Sequence, residues 1–190
     1  MSPPTALSTS EARRETVIIS AITLFARSGY LGTPVSAIAE HAEISTAYVF
    51  KLFPRKEELF VAALGRCFNL IQNALEVVAA PMSGQPPEAI LAALGAAYAA
   101  LIADRSLLML QVHAQSASTV PEIAAALREG VGQIVRFVKA RSLAPDEAVQ
   151  QFIAYGQLCH LITVTDLDEN AADWARLLAK GIQHAQPETV

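Results

Sequence analysis

Metal-binding and disulfide chemistry have almost nothing to work with in this sequence. The two cysteines, Cys67 and Cys159, are far apart and lack ligand spacing, so they read as free thiols in a reducing compartment. There is no H-x-x-x-H, no C-x-x-C, no glycine-rich phosphate loop and no paired-carboxylate signature. The constellations a small enzyme would need are therefore missing. Cys159 and His160 are neighbours, about 100° apart around a helix, and do not face each other as a catalytic pair would. Aromatic residues make up only 6% and β-branched alternation is scarce, which argues against strands. Apolar runs are short: the longest without charge, residues 89–103, falls below the roughly 20 residues that cross a bilayer. Arg13 and Arg14 precede an amphipathic pattern rather than a solid apolar block, so no secretory leader is read. The expectation is a cytoplasmic chain with no metal, no cofactor and no membrane partner.

What is abundant is alanine and leucine, within a hydrophobic content of 53% over 190 residues. That is enough to bury a substantial core and favours an all-α fold of about nine helices. An excess of positive charge is also missing: the net charge is −4. Residues 1–60 hold six Lys/Arg and six Asp/Glu, so the acidity lies entirely in residues 61–190. A neutral N-terminal part on an acidic remainder attracts phosphate only weakly at long range, so DNA binding would rely on local cations and on two copies acting together.

Residues 1–9 read as a loose arm. Ser10 is placed to cap a first helix, with Glu11 in its first turn and Val17, Ala21, Leu24 and Phe25 on one face. Gly29 suits the left-handed position that ends it. Thr33-Pro34 opens a second helix with Val35, Ile38, Ala39 and Ala42 inward, and Ser45 caps a third that Pro54 stops. A long fourth helix follows from Lys56 to about Ala80, and PMSGQPPE, residues 81–88, is the clearest linker. Further helical patterns cover about 87–103, 105–116 and 121–140, one after Pro145, and a last one carrying Trp174, Leu177, Leu178 and Gly181. The division expected is a helix-turn-helix head over residues 10–54 and a helical body over 55–190.

Two short helices joined by a tight turn form the pattern that places a recognition helix in the major groove, its first residues against base edges. Those residues are Thr46, Ala47 and Tyr48. Thr46 offers a hydrogen bond, Ala47 a methyl for thymine, and Tyr48 a ring and a hydroxyl. Ser45, Lys51 and Lys56, with the hydroxyls of Thr33 and Ser36, are candidates for phosphate contacts. The same capping residues would also serve an ordinary helical bundle. In the body, Phe68, Ile71, Tyr98, Leu101, Met109, Val112, His113, Phe137 and Tyr155 combine apolar walls with a few polar groups, joined by Gln111 and Gln115. Small-molecule sites are built this way, and so are helical cores. The composition suits an apolar or aromatic effector.

The head resembles that of the TetR/AcrR family of bacterial transcriptional regulators. Leu24-Phe25, Gly29-Tyr30, Thr33, Val35, Ile38-Ala39, Ile44-Ser45, Val49-Phe50, Phe53, Lys56 and Leu59 stand in the register of that family's head, without gaps over about the first 65 residues. Three positions depart from it. Glu43 stands in the turn where glycine is usual, Ala47 replaces a glycine or proline, and Phe50 replaces a phosphate-binding tyrosine.

The resemblance implies a homodimer that reads a palindrome in double-stranded DNA, with a ligand pocket among the middle helices and a dimer interface from the last two. On that reading the interface would use Phe152, Cys159, Ile162, Trp174, Leu178 and Gly181, although these stripes could equally face the chain's own core. The functional expectation is a repressor released by a small apolar or aromatic effector. The alternative is a helical ligand-binding or scaffold protein that does not use DNA.

Overall fold

In the computed structural model, residues 9–180 are described, and nine α-helices account for most of them. They are α1 (Thr9–Gly32), α2 (Val35–His41), α3 (Thr46–Leu52), α4 (Lys56–Ala79), α5 (Pro87–Ile102), α6 (Arg105–Ser116), α7 (Pro121–Ser142), α8 (Asp146–Val164) and α9 (Asp173–Ala179). No strand occurs among the described residues, so the all-α expectation holds. No single helix among them is long and apolar enough to cross a membrane. Most of the arm expected at residues 1–9, together with Gly181, lies outside the described residues.

Local chemistry sets the helix ends. Ser45 caps α3 by accepting the Tyr48 amide at 3.2 Å, and Asp104 caps α6 through the Ser106 amide at 2.9 Å. Pro87 and Pro121 occupy first-turn positions of α5 and α7, where a missing N–H costs nothing. Two sequence expectations need correction. Ser10 lies inside α1 rather than capping it. Thr33 does not cap α2: its hydroxyl turns back to the Gly29 carbonyl at 2.8 Å, beside the Leu24 carbonyl at 3.1 Å. It thereby closes the end of α1, where Gly29 takes φ +70°.

Helix α4 organises the packing. Leu59, Phe60, Ala63, Leu64, Cys67, Phe68, Ile71 and Leu75 are buried along it at three- and four-residue intervals. Its first half closes the head: Phe25 and Tyr30 of α1 meet the Phe60 ring edge-on, with centroids 4.8 and 5.5 Å apart. Its second half packs on α5 and α7 in the body. The head and most of the body consequently share one continuous apolar core. Helices α1 and α6 meet directly, and the ring of His113 sits so close to Gly29 that a Cβ there would lie 2.9 Å from Nδ1. Helix α7 approaches α4 at Gly130, where a Cβ would fall 2.0 Å from the Phe68 ring.

Polar contacts fasten the head at its rim. Tyr30 donates to Glu57 at 2.7 Å, Arg55 pairs with Glu58 and with Glu122 of α7, each at 2.9 Å, and Arg66 pairs with Glu15 at 2.8 Å. Burial, then the bond to Glu57, pushes the Tyr30 hydroxyl up to about 12, while the same bond holds the Glu57 carboxyl below its usual range. Arg14 donates to the Leu52 carbonyl at 3.2 Å and lies 4.0 Å over the Phe53 ring, placing a cation at the C-terminus of α3.

The turn between α2 and α3 is a Schellman motif. The Ile44 amide reaches the Ala39 carbonyl and the Glu43 amide the Glu40 carbonyl, both at 3.0 Å. Glu43 sits at its left-handed position with φ +55°, where a side chain is strained. Glu43→Gly is expected to stabilise the protein by about 1 kcal/mol, the relief of strain exceeding the added chain entropy. Urea unfolding should show a higher midpoint at unchanged m. Gly130→Ala is expected to cost about 1–3 kcal/mol, because the Phe68 ring must move aside; the same titration measures it.

Candidate DNA-reading face and ligand cavity

The N-terminal end of α3 is presented outward. Val49 and Phe53 bury against the head, while Ser45, Ala47 and Lys51 are exposed and Thr46 and Tyr48 half-buried. Lys51 Nζ lies 5.9 Å from the Tyr48 ring centroid, so one cation and one aromatic share the face. Ser36, at the start of α2, is also exposed. Phe50, 44% exposed, presents an apolar ring outward. Two residues expected at phosphate do something else. Thr33 is 2% exposed, with its hydroxyl spent on the end of α1. Lys56 is half-buried, its ammonium 4.9 Å over the Tyr30 ring, and burial lowers its pKa.

A cavity of about 490 Å³ opens among α4, α5, α6, α7 and α8. Phe68, Ile71 and Leu75 form one wall, α5 from Leu91 to Ala99 another, and Val131 and Ile134 of α7 a third. Helix α8 supplies Ala148, Phe152, Tyr155, Gly156 and Cys159, with Gln151 and Gln157 exposed at the rim. The polar groups deeper in belong to Tyr98 and Gln111. Tyr98 Oη lies 2.5 Å from His160 Nε2, and Gln111 Nε2 donates to Tyr98 Oη at 3.4 Å and to the Leu107 carbonyl at 3.2 Å. His160 is buried with Nδ1 lacking any hydrogen-bond partner, and burial lowers its pKa to about 4, so the ring is neutral. Burial also raises the Tyr98 hydroxyl and the Cys159 thiol, leaving both protonated.

Of the residues expected in the pocket, Phe68, Ile71, Tyr98 and Tyr155 line this cavity. The other five do not, because each faces a different neighbour. Leu101 and Phe137 pack into the main core. Met109 and Val112 pack on the small cluster of Ile102, Leu108 and Cys159. His113 faces α1. Along α6 the register leaves Gln111 alone on the cavity side. The stripe expected at the dimer interface divides within the chain. Phe152 and Cys159 line the cavity, and Ile162 and Leu178 pack with Leu167 and Ala175. Trp174 alone of the described set is exposed, at 56%. The outward apolar residues of α8 and α9 are Ala154, Tyr155, Leu161, Trp174 and Leu177.

The joining of Tyr98 to His160, 62 residues away, has no sequence signature. Gln111 was legible only as a polar group near an apolar helix face. Among the described residues no group of acidic, histidine and cysteine side chains is arranged to hold a metal.

Residues 18–63 match the sequence model described as "Bacterial regulatory proteins, tetR family". The transcriptional repressor KstR of Mycolicibacterium smegmatis is 32% identical over 59 residues, which is 31% of this chain and 29% of that protein. The matched stretch thus spans less than a third of that relative's length. The fold extends much further. The fatty acid degradation regulator FadR of Bacillus halodurans superposes with a TM-score of 0.71 at 15% identity, covering 95% of this chain and 100% of that one. FadR of Bacillus subtilis, solved in complex with stearoyl-CoA, gives 0.68 at 15% identity, covering 89% and 99%.

The neutral, buried His160 makes a pH prediction. Its pKa is about 4 in the folded chain against 6.5 when exposed, so the unfolded chain takes up the proton first as pH falls. Stability is therefore lost on acidification from about pH 6.5 to 4. His160→Gln should flatten that slope, removing on the order of 2–3 kcal/mol of pH dependence. Urea midpoints at pH 7, 5.5 and 4 for both proteins measure it.

Proposed function

We propose that this chain, whose residues 18–63 match the tetR-family model, is a homodimeric regulator of that family, a repressor released from a palindromic operator by a small, largely apolar effector. The observation that carries this reading is the double duty of α4. Phe60 completes the head core, and Phe68 and Ile71 on the same helix wall the cavity. A ligand that favours one placement of α4 therefore has a stiff path to the head. It lowers operator affinity by its preference between the two placements and no further.

Charge and geometry support dimerisation. A single neutral head with few free cations binds phosphate weakly, and a second head across a two-fold axis supplies the missing contacts. Recognition helices would then lie about 34–36 Å apart, one turn of DNA. The outward residues Ala154, Tyr155, Leu161, Trp174 and Leu177 offer an apolar surface for pairing. At the DNA, Thr46, Ala47 and Tyr48 read base edges, while Ser36, Ser45 and Lys51 hold phosphates.

Selection of random duplex DNA by the purified protein at two salt concentrations, with sequencing of what is retained, tests this. An enriched palindrome is expected. Lys51→Ala should weaken binding to every sequence and reduce the salt slope by about one unit. Tyr48→Ala should instead change which bases are preferred, by about 1–3 kcal/mol at the affected position. No enrichment at low salt would overturn the reading.

A further inference from the structure

The polar corner of the cavity specifies more than an apolar occupant. Gln111 uses both amide hydrogens, one on Tyr98 Oη and one on the Leu107 carbonyl. The contact between His160 Nε2 and Tyr98 Oη has two possible polarities. Were Tyr98 the donor, the neutral His160 would carry its proton on Nδ1, a buried N–H with no partner. Were Nε2–H the donor, only a bare ring nitrogen would be orphaned, and the tyrosine would keep its own hydrogen. An orphaned buried donor is the costlier outcome, so the second arrangement is favoured. Tyr98 Oη then accepts from both His160 and Gln111, and its hydrogen is left for the cavity. The same Gln111 amide, part of the cavity lining, carries a carbonyl oxygen that can accept.

We propose that Tyr98 and Gln111 form a donor–acceptor pair that selects an uncharged, hydroxyl-bearing apolar effector, rests on the reading of this cavity as the effector site, and excludes carboxylates. A hydroxyl accepts from Tyr98 and donates to Gln111 at once. A carboxylate satisfies only the tyrosine, and its charge meets no lysine or arginine in the lining, whose single charged side chain is Glu88 at the rim. The protein of similar fold solved with stearoyl-CoA is thus no guide to the head group taken here.

The test compares 1-dodecanol, dodecanoate and dodecylammonium, three head groups on one chain, by displacement of a fluorescent apolar reporter from the full-length protein without DNA. Dodecanol is expected to bind tightest. Tyr98→Phe and Gln111→Leu should each weaken it by about tenfold, the worth of one buried hydrogen bond, with unchanged far-UV dichroism. Dodecanoate or dodecylammonium binding as tightly as dodecanol would overturn the assignment. So would undiminished dodecanol binding in whichever variant folds, or no dodecanol binding by the unmodified protein. A chain that shows the expected pattern yet retains no DNA would sink the repressor reading and leave this one standing.

Discussion

Helix α4 has to serve both ends of one core at once, and most of the architecture follows from that requirement. Its buried stripe begins under the aromatic edge contacts of the head and ends at the wall of the cavity. Such a stripe permits no polar break midway, and Phe60, Leu64, Phe68 and Ile71 supply none. The result is a continuous apolar spine between a surface that can read DNA and a hollow that can hold a ligand. Close-packed spines of this kind shift as units rather than deform, because interior packing tolerates few voids.

The electrostatics work around this spine rather than through it. The head's cations are partly occupied: Arg55 bridges to Glu122 of the body, Arg14 closes α3, and Lys56 covers Tyr30. Lys51 remains on the outward face. A head in this condition has little long-range pull on a polyanion, so any sequence preference must come from short-range fit at α3.

Much of this was legible in the sequence where the signal is local. Helix boundaries, the Ser45 cap, the strained Glu43 and the outward start of α3 at Thr46–Tyr48 all depend on residues within a few positions of one another. The cavity was legible only in part. Phe68 and Ile71 were found because α4 has a single strong stripe. Helices α6 and α8 have apolar residues on more than one side, and periodicity does not say which side meets the hollow. Thus Met109 and Val112 were assigned to it although they pack on the small cluster of Ile102, Leu108 and Cys159. Phe152 and Cys159, read as part of an interface stripe, also line it. Thr33 misled for another reason: a hydroxyl ahead of proline reads as a cap for the next helix, and here it closes the previous one.

The close approach at Gly130 also bears on how such a protein could change over generations. A methyl group there lies outside the cavity, yet it must drive the Phe68 ring, which is part of the cavity wall, out of its place. Ligand range can therefore drift through a position that never meets a ligand. The substitution draws on the stability of the α4–α7 seam, and relief of strain at Glu43 is one source that could offset it. Lineages carrying a glycine in that turn would have more room to explore new effectors than this one has.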